Sequence, residues 1–318
     1  MRIFVKSLML PILGILFVAT PTNSAEETTK QYRVENIVRK HFDIIASTQT
    51  CTYEVVDNFI NGDNSKLVEL FEKQRLYEDE ILLMTAKEQT AGIGSNSRTW
   101  QSPPGNVYAT FTFPWPENQQ GLLFFVPQVS NLSVCQTVTS FGLNPQFKWI
   151  NDMLLNDKKS AGVLANCKGT FPYYSRSNDQ PSSTNHVALV LGIGINVNME
   201  LAVAQERFES VTDVMKMPFT SMTIESGRVF DVEAVLTELN KNLCENFSVL
   251  LRDRDFASSF LPKISPMLAY VGQEVEYSED KEEPRKVLFR GIQNDGQIIL
   301  QEGDRETTKL SGRIRPIF

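Results

Sequence analysis

The chain of 318 residues has few of the side chains that build metal or disulfide frameworks. Its four cysteines, Cys51, Cys135, Cys167 and Cys244, show no CxxC or Cys/His spacing, and its two histidines, His41 and His186, stand apart. A structural zinc site is therefore disfavoured, and the cysteines read as reduced, buried residues rather than a disulfide framework. The net charge is −7, which disfavours a role coating nucleic acid. A full dinucleotide fingerprint is missing: after Gly92-Ile93-Gly94, position 97 is Ser and no βαβ unit follows. The one long apolar run, residues 8–19, is interrupted by Pro11 and Gly14 and is too short to span a bilayer comfortably. No internal repeat is evident.

What is present begins with a leader. Arg2 and Lys6 precede the apolar run, and Thr22-Asn23-Ser24-Ala25 offers small residues for cleavage, which is the layout of a secretory signal peptide. Removing residues 1–25 would take the net charge from −7 to −9. From residue 31 onward, helical and extended patterns alternate. Residues 31–41 carry Val34, Ile37 and Val38 at helical spacing, and 51–61 and 66–76 read as amphipathic helices. Residues 81–86, 106–112 and 121–126 read as strands, 129–141 as a helix, 186–198 as a long buried strand and 232–252 as a helix. Residues 173–185 look like a long exposed loop. Pro262 and Pro266 bracket a linker, after which 273–277, 285–292 and 297–301, with the turn Asn294-Asp295-Gly296, describe a small all-strand module.

Several segments carry chemistry. Lys148-Trp149-Ile150-Asn151-Asp152 is followed by Lys159 and Gly162. Asn156-Asp157-Lys158-Lys159 reads as the turn of a hairpin, so two lysines, an amide and a carboxylate would meet at one end of a sheet. A solvated turn would look similar. The loop from Gln89 through Gly92, Gly94 and Arg98 to Trp100 leaves a strand with two glycines that let backbone N–H groups approach an anion, or it is a flexible surface loop. Trp100 is a core anchor or a lid for a flat ligand. Asn196, closing the apolar Gly192-Ile193-Gly194-Ile195 run, reads an adenine edge or caps its own strand.

In order, Ser47-Thr48-Gln49, the Gln89–Trp100 loop, Ser102-Pro103-Pro104-Gly105, Lys148-Trp-Ile-Asn-Asp152, Lys159-Ser-Ala-Gly162 and Gly192-Ile-Gly-Ile-Asn196 closely resemble the catalytic domain of biotin protein ligases. The C-terminal module, with Arg290-Gly291-Ile292, Gly296 and Gly312, resembles the SH3-like barrel of that family. The resemblance implies an α+β fold: a mixed β-sheet flanked by helices over residues 28–262 and a small SH3-like β-barrel over 266–318, behind the signal-like leader 1–25. It also implies a monofunctional enzyme, because only some 25 to 30 residues precede the catalytic region and leave no room for a DNA-binding domain. The expected reaction forms biotinyl-5′-AMP from biotin and ATP, then transfers biotin to a lysine of a biotin carboxyl carrier domain.

By the same resemblance, Lys159 is the central catalytic lysine, with Lys148 and Asp152 beside it. Ser47, Thr48, Gln89, Gly92, Arg98, Trp100 and Gly162 belong to the biotin side, and Gly94, Asn151 and Asn196 to the nucleotide side. Magnesium is expected with ATP, with no ligand set evident, and a homodimer is left open. Some positions depart from the pattern. Ile93-Gly94-Ser95-Asn96-Ser97 replaces an arginine-rich loop, and Ile150 replaces a proline. Residues 48–81 and 173–185 are longer than usual. Alternatives are a lipoate-type ligase of the same fold, an octanoyltransferase using Cys167, or a non-catalytic biotin binder or exported protein with a degenerate loop. ATP and carrier protein favour cytoplasmic action, against the signal-like leader.

Overall fold

The computed structural model describes residues 31–95, 98–210, 217–279 and 282–317, so the leader lies outside the described residues. β1 (Ile37–Ile45) is followed by α1 (Thr48–Ile60), α2 (Ser65–Phe71), the short β2 (Leu76–Tyr77) and β3 (Ile81–Gln89). β4 (Val107–Pro116) runs through a 3-10 stretch, Glu117–Phe125, into α3 (Val126–Ser140). β5 (Gln146–Lys148), β6 (Asp152–Leu155) and β7 (Lys158–Phe171) form consecutive hairpins, and β8 (Tyr173–Tyr174) precedes β9 (His186–Ile195). Next come α4 (Leu201–Ser210), α5 (Met222–Ser226), α6 (Val232–Asp253), α7 (Phe256–Ser259) and α8 (Leu261–Ile264). β10 (Glu274–Ser278), β11 (Arg285–Ile292), β12 (Ile298–Glu302), β13 (Arg305–Lys309) and β14 (Arg313–Pro316) end the chain.

Seven strands form one mixed sheet in the order β1-β3-β4-β9-β7-β6-β5, with only the β1–β3 pair parallel. α3 and α6 cover one face, where Leu83, Phe111, Phe113, Leu191 and Ile193 are buried. α1 and α2 cover part of the other, over Leu82, Met84, Ala188 and Val190. Coverage on both faces explains why β4 is buried along its whole length and reads as a nearly continuous apolar run. β10 to β14 form the five-stranded antiparallel sheet of the expected SH3-like module. No helix among the described residues is long and apolar enough to cross a membrane.

Local propensity is overridden at several places. Residues 34–38 carry helical spacing, yet only Val34–Asn36 makes a 3-10 turn before β1, which gains its hydrogen bonds from β3. Residues 121–126 are not a strand; they belong to the 3-10 stretch, where Phe125 stacks on Phe256 with ring centroids 4.4 Å apart. The helix expected to reach residue 76 ends at Phe71, because Glu72 turns left-handed with φ +57°. The proline-bracketed linker is α8 plus a 3-10 turn, with Pro262 and Pro266 in first-turn positions that spend no N–H donor. The loop 173–185 is anchored at its start by a buried Tyr173, where β8 pairs with β2. All four cysteines are free, but Cys167 is an exposed residue within β7 rather than a core residue.

The C-terminal sheet is joined to the main core: Val275, Tyr277, Phe289 and Leu300 belong to the same buried cluster as Leu191 and Phe247. The contact falls on the Lys148 segment. The Gly296 carbonyl accepts from Trp149 Nε1 and Gln128 Nε2, each at 3.2 Å, and Ala269 N donates to the Phe147 carbonyl at 2.9 Å. Gly296 has φ +81°, and a Cβ there would lie 2.6 Å from Gln128 Nε2 and about 3 Å from both Phe124 and Phe125. Gly296→Ala is therefore expected to cost about 1–3 kcal/mol through backbone strain and overpacking, read as a lower urea midpoint.

Candidate active site

The hairpin between β6 and β7 turns on Asn156 and Asp157, both at positive φ (+49° and +60°), as a two-residue loop of type I′ requires. Just past this turn the register slips. Leu155 pairs with Lys158 and Leu154 with Lys159, yet Met153 pairs with Ala161 and Asp152 with Gly162. Ser160 is the extra residue of a β-bulge. Lys159, paired with Leu154, lies on the face of Asp152, and because side chains alternate with a period of two, the bulge brings Gly162 onto that face as well. Without the bulge Lys159 and Gly162 would lie on opposite faces.

The consequence is a compact charge cluster. Asp152 Oδ2 accepts from Lys148 Nζ at 2.7 Å, and its Oδ1 lies 2.5 Å from Lys159 Nζ. Lys148 and Asp152 are cross-strand partners on β5 and β6, both buried. Burial alone would raise the Asp152 carboxyl, but the two ammonium groups outweigh it and hold it well below the usual carboxylate range. Burial lowers the Lys159 ammonium; Asp152 pulls it back up, while Lys148 and Arg98 push it down. Two lysines and one carboxylate leave one positive charge uncompensated, and a bound anion would strengthen the charged form of Lys159. From α3, the buried Asn131 donates its amide to the Asp152 carbonyl at 2.8 Å and braces the hairpin.

Beside the lysines, Gly162 and Gly194 face each other across β7 and β9, and the Trp100 indole lies on them. A Cβ on Gly194 would stand 2.7 Å from that ring, so the close approach requires glycine. Lys159 Nζ sits 5.4 Å from the Trp100 ring centroid. Trp100 is thus held over the strand floor next to the central lysine, not in the core. Its backbone N donates to the Gly92 carbonyl at 2.8 Å.

On the same sheet face, Gln89 Oε1 accepts from Thr48 N (2.8 Å) and Thr48 Oγ1 (3.1 Å), while Gln89 Nε2 donates to Ser102 Oγ at 2.8 Å. Thr48 Oγ1 also meets Thr110 Oγ1 at 2.9 Å, and Ser47 caps α1 by accepting from Thr50 N. Thr48 and Gln89 are therefore cross-linked, and Ser47 stands directly before Thr48 at the start of α1. Arg98 folds onto its own loop: Nε reaches the Ser95 carbonyl at 2.9 Å and Nη2 the Ser95 hydroxyl. Gly94 N donates to the Arg98 carbonyl at 2.7 Å, closing the same loop.

Asn151 donates to the Val163 carbonyl at 2.6 Å and ties the hairpin to β7. Asn196 is fully buried and donates to the Thr220 carbonyl at 2.9 Å, so it lies beneath the site rather than at its surface. Sequence reasoning missed Thr110, Asn131, Thr220 and Glu225. A polar residue within an apolar stretch marks Thr110 and Asn131; nothing local marks Thr220 or Glu225, which reach the hairpin only through the fold. Among the described residues no group of three or more His, Cys, Asp or Glu could hold a metal.

The family model for the biotin/lipoate A/B protein ligase family matches residues 58–171, which contain Gln89, Trp100, Lys148, Asp152, Lys159 and Gly162. That stretch of the chain is similar to the family's model. Among curated members, the bifunctional ligase/repressor BirA of Bacillus spizizenii is 28% identical over 62% of this chain and 50% of its own length. The biotin--[acetyl-CoA-carboxylase] ligase of Paracoccus denitrificans is 26% identical over 68% of this chain and 82% of its own. The chain thus spans about half the length of the Bacillus relatives it matches. The biotin protein ligase from Aquifex aeolicus, solved in complex with biotin and ATP, superposes with a TM-score of 0.62 at 23% identity, covering 88% of this chain and 97% of that one, and so shares the fold.

In this candidate site, Asp152 is the charge that makes two close lysines tolerable. Asp152→Asn is expected to destabilise by about 3–5 kcal/mol near pH 7, since two buried ammonium groups lose their partner. The depressed carboxyl contributes stability above its unfolded pKa of about 3.9, and that contribution fades as pH falls through the lower folded value. Melting curves from pH 7 to 3 should therefore show a shallower acid slope for the variant.

Proposed function

We propose that this chain is an ATP-dependent biotin protein ligase. The observation that carries the reading is the Lys148–Asp152–Lys159 cluster beside the Gly162/Gly194 floor and Trp100, in a family with a solved member holding biotin and ATP. In the first step a biotin carboxylate oxygen attacks the α-phosphorus. The new O–P bond forms as the bond to pyrophosphate breaks, giving biotinyl-5′-AMP. Two anions must meet, and the uncompensated charge shared by Lys159 and Lys148 offsets their repulsion and the charge building on phosphorus. In the second step the amine of a lysine on a biotin carboxyl carrier domain attacks the acyl carbon. A C–N bond forms, AMP leaves with the C–O bond electrons, and the amine loses a proton to solvent.

Ser47, Thr48 and Gln89 take the ureido end of biotin, with Gly92 and Gly162 keeping the floor open, and Trp100 covers the activated ester against water. Arg98 stays with the biotin group, Gly94 and Asn151 shape the nucleotide side, and Asn196 acts on it from beneath through Thr220. We assign residues 28–262 to the catalytic region and 266–318 to the SH3-like module. Magnesium finds no protein ligand set that fits among the described residues, because Asp152 is spent on two lysines, and the steps above run on the chain's own groups.

Pyrophosphate release from ATP in the presence of biotin tests the reading, with lipoate as the rival substrate; release with lipoate instead of biotin, or none with either, overturns it. Lys159→Ala should reduce biotin-dependent release by at least about a thousandfold, of the order seen when a transition-state anion loses its donor. Asp152 keeps Lys148 as partner in that variant, so the melting temperature should change little.

The Gly92–Arg98 loop holds a single cation, and Arg98 is engaged with Ser95. Ser95→Arg would add a charge-assisted contact worth roughly 1.5–3 kcal/mol and should slow escape of biotinyl-AMP by about 10- to 150-fold. Stopped-flow release of the adenylate checks it.

A further inference from the structure

Lys159 is flanked on its open side by a segment far away in sequence. Lys159 N donates to the Pro218 carbonyl at 2.8 Å, and Thr220 N donates back to the Lys159 carbonyl at 3.0 Å. Residues 217–221 thus run alongside the start of β7 as a single bridge centred on Lys159 and Phe219. Thr220 is itself held from below, since the buried Asn196 amide donates to its carbonyl at 2.9 Å.

One carboxylate gathers the remaining contacts. Glu225, on α5, accepts from the Asn156 amide at 2.5 Å, from Lys158 Nζ at 3.3 Å and from the Thr220 hydroxyl. Its side chain is only 9% exposed. The turn residue Asn156, the lysine beside Lys159 and the flanking Thr220 are therefore pinned by the same group. Asn156 is exposed and left-handed, so the turn would otherwise be free to shift with its strand ends. The bulge at Ser160 directly follows Lys159, and its register is set between the turn and the Thr220 bridge.

We propose that Glu225 is a positioning residue for Lys159, one that fixes the bulged register of the hairpin by clamping both sides of it. Glu225 contacts Asn156, Lys158 and Thr220 and is given no contact with substrate. It acts on the reaction by keeping the Lys159 ammonium on the same face as Gly162 and Trp100, beside Asp152. This role rests on the ligase reading above and adds to it a residue 66 positions away from the lysine it serves.

The pair Glu225–Asn156 permits a test that packing alone would not pass. Glu225→Gln places one amide against another and removes the charge facing Lys158. Pyrophosphate release at saturating biotin and ATP should fall about tenfold, while KM for biotin stays within about twofold, because Ser47, Thr48 and Gln89 sit on other elements. Adding Asn156→Asp restores a carboxylate opposite an amide, with the polarity reversed, at a position where aspartate tolerates positive φ. The double variant should recover most of the lost kcat. Asn156→Gly, which keeps the left-handed turn but deletes the amide, should lose about threefold and covers the case in which Glu225→Gln fails to fold.

An active wild type whose kcat is unchanged in both single variants overturns the role of Glu225 and leaves the reaction standing. A loss seen only in melting temperature, or a double variant no faster than Glu225→Gln, overturns it too. A wild type that releases no pyrophosphate with biotin overturns the reaction and, with it, this role.

Discussion

Everything at the site depends on one buried carboxylate holding two ammonium groups apart from solvent and close to each other. Asp152 bonds Lys148 through one oxygen and Lys159 through the other. Either lysine alone beside Asp152 would make a neutral pair with nothing left for an anionic ligand. Two lysines without Asp152 would repel in a partly buried site, where charge is screened far less than at the surface. The triad keeps one positive charge, held in place, where the two anions of the proposed reaction would come together. Preorganised charge of this kind needs no rearrangement during the reaction, which is the main advantage of a protein site over water.

The triad in turn depends on backbone geometry from three directions. The β-bulge at Ser160 puts Lys159 and Gly162 on the one face that carries Asp152. The Thr220 bridge and the Glu225 carboxylate hold that register from the open side. Trp149 and Phe147, the neighbours of Lys148, are bonded to Gly296 and Ala269 in the C-terminal part of the chain. The small C-terminal sheet is therefore part of the scaffold that places Lys148, and its core is continuous with that of the main sheet. Beside the lysines, a floor of glycines lets an indole lie against bare strand backbone, a contact that any side chain at Gly194 would block.

The sequence patterns were readable where local and long-range forces agree. The helices at 129–141 and 232–252 and the strands around 81–86 and 186–198 form where periodicity places them, because their apolar faces meet the sheet or the helices directly. Residues 31–41 and 121–126 went the other way. In the first, helical spacing yields to pairing with β3; in the second, a fully apolar run without alternation packs as a 3-10 stretch against Phe256 and the Gly296 turn. The exposed Cys167 shows the same limit, since strand alternation on a partly covered face cannot be told from burial by sequence alone.

The sequence by itself determined the chemical inventory: two lysines, an asparagine and an aspartate around a tight turn, a Gln–Gly–Trp loop and an ordered series of motifs that resembles one family. Those depend on residue identity and spacing within a few positions, and they survive without knowledge of the fold. Tertiary structure decided which groups face one another. Whether Lys159 and Gly162 share one face with Asp152 hangs on one extra residue in a hairpin, a difference of a single register step that no composition or periodicity records. The same is true of Asn196, buried under Thr220 instead of at the surface, and of Glu225, whose partners lie across the fold. Contacts between distant segments are set by the packing of the whole sheet, and only there does a list of residues become a site.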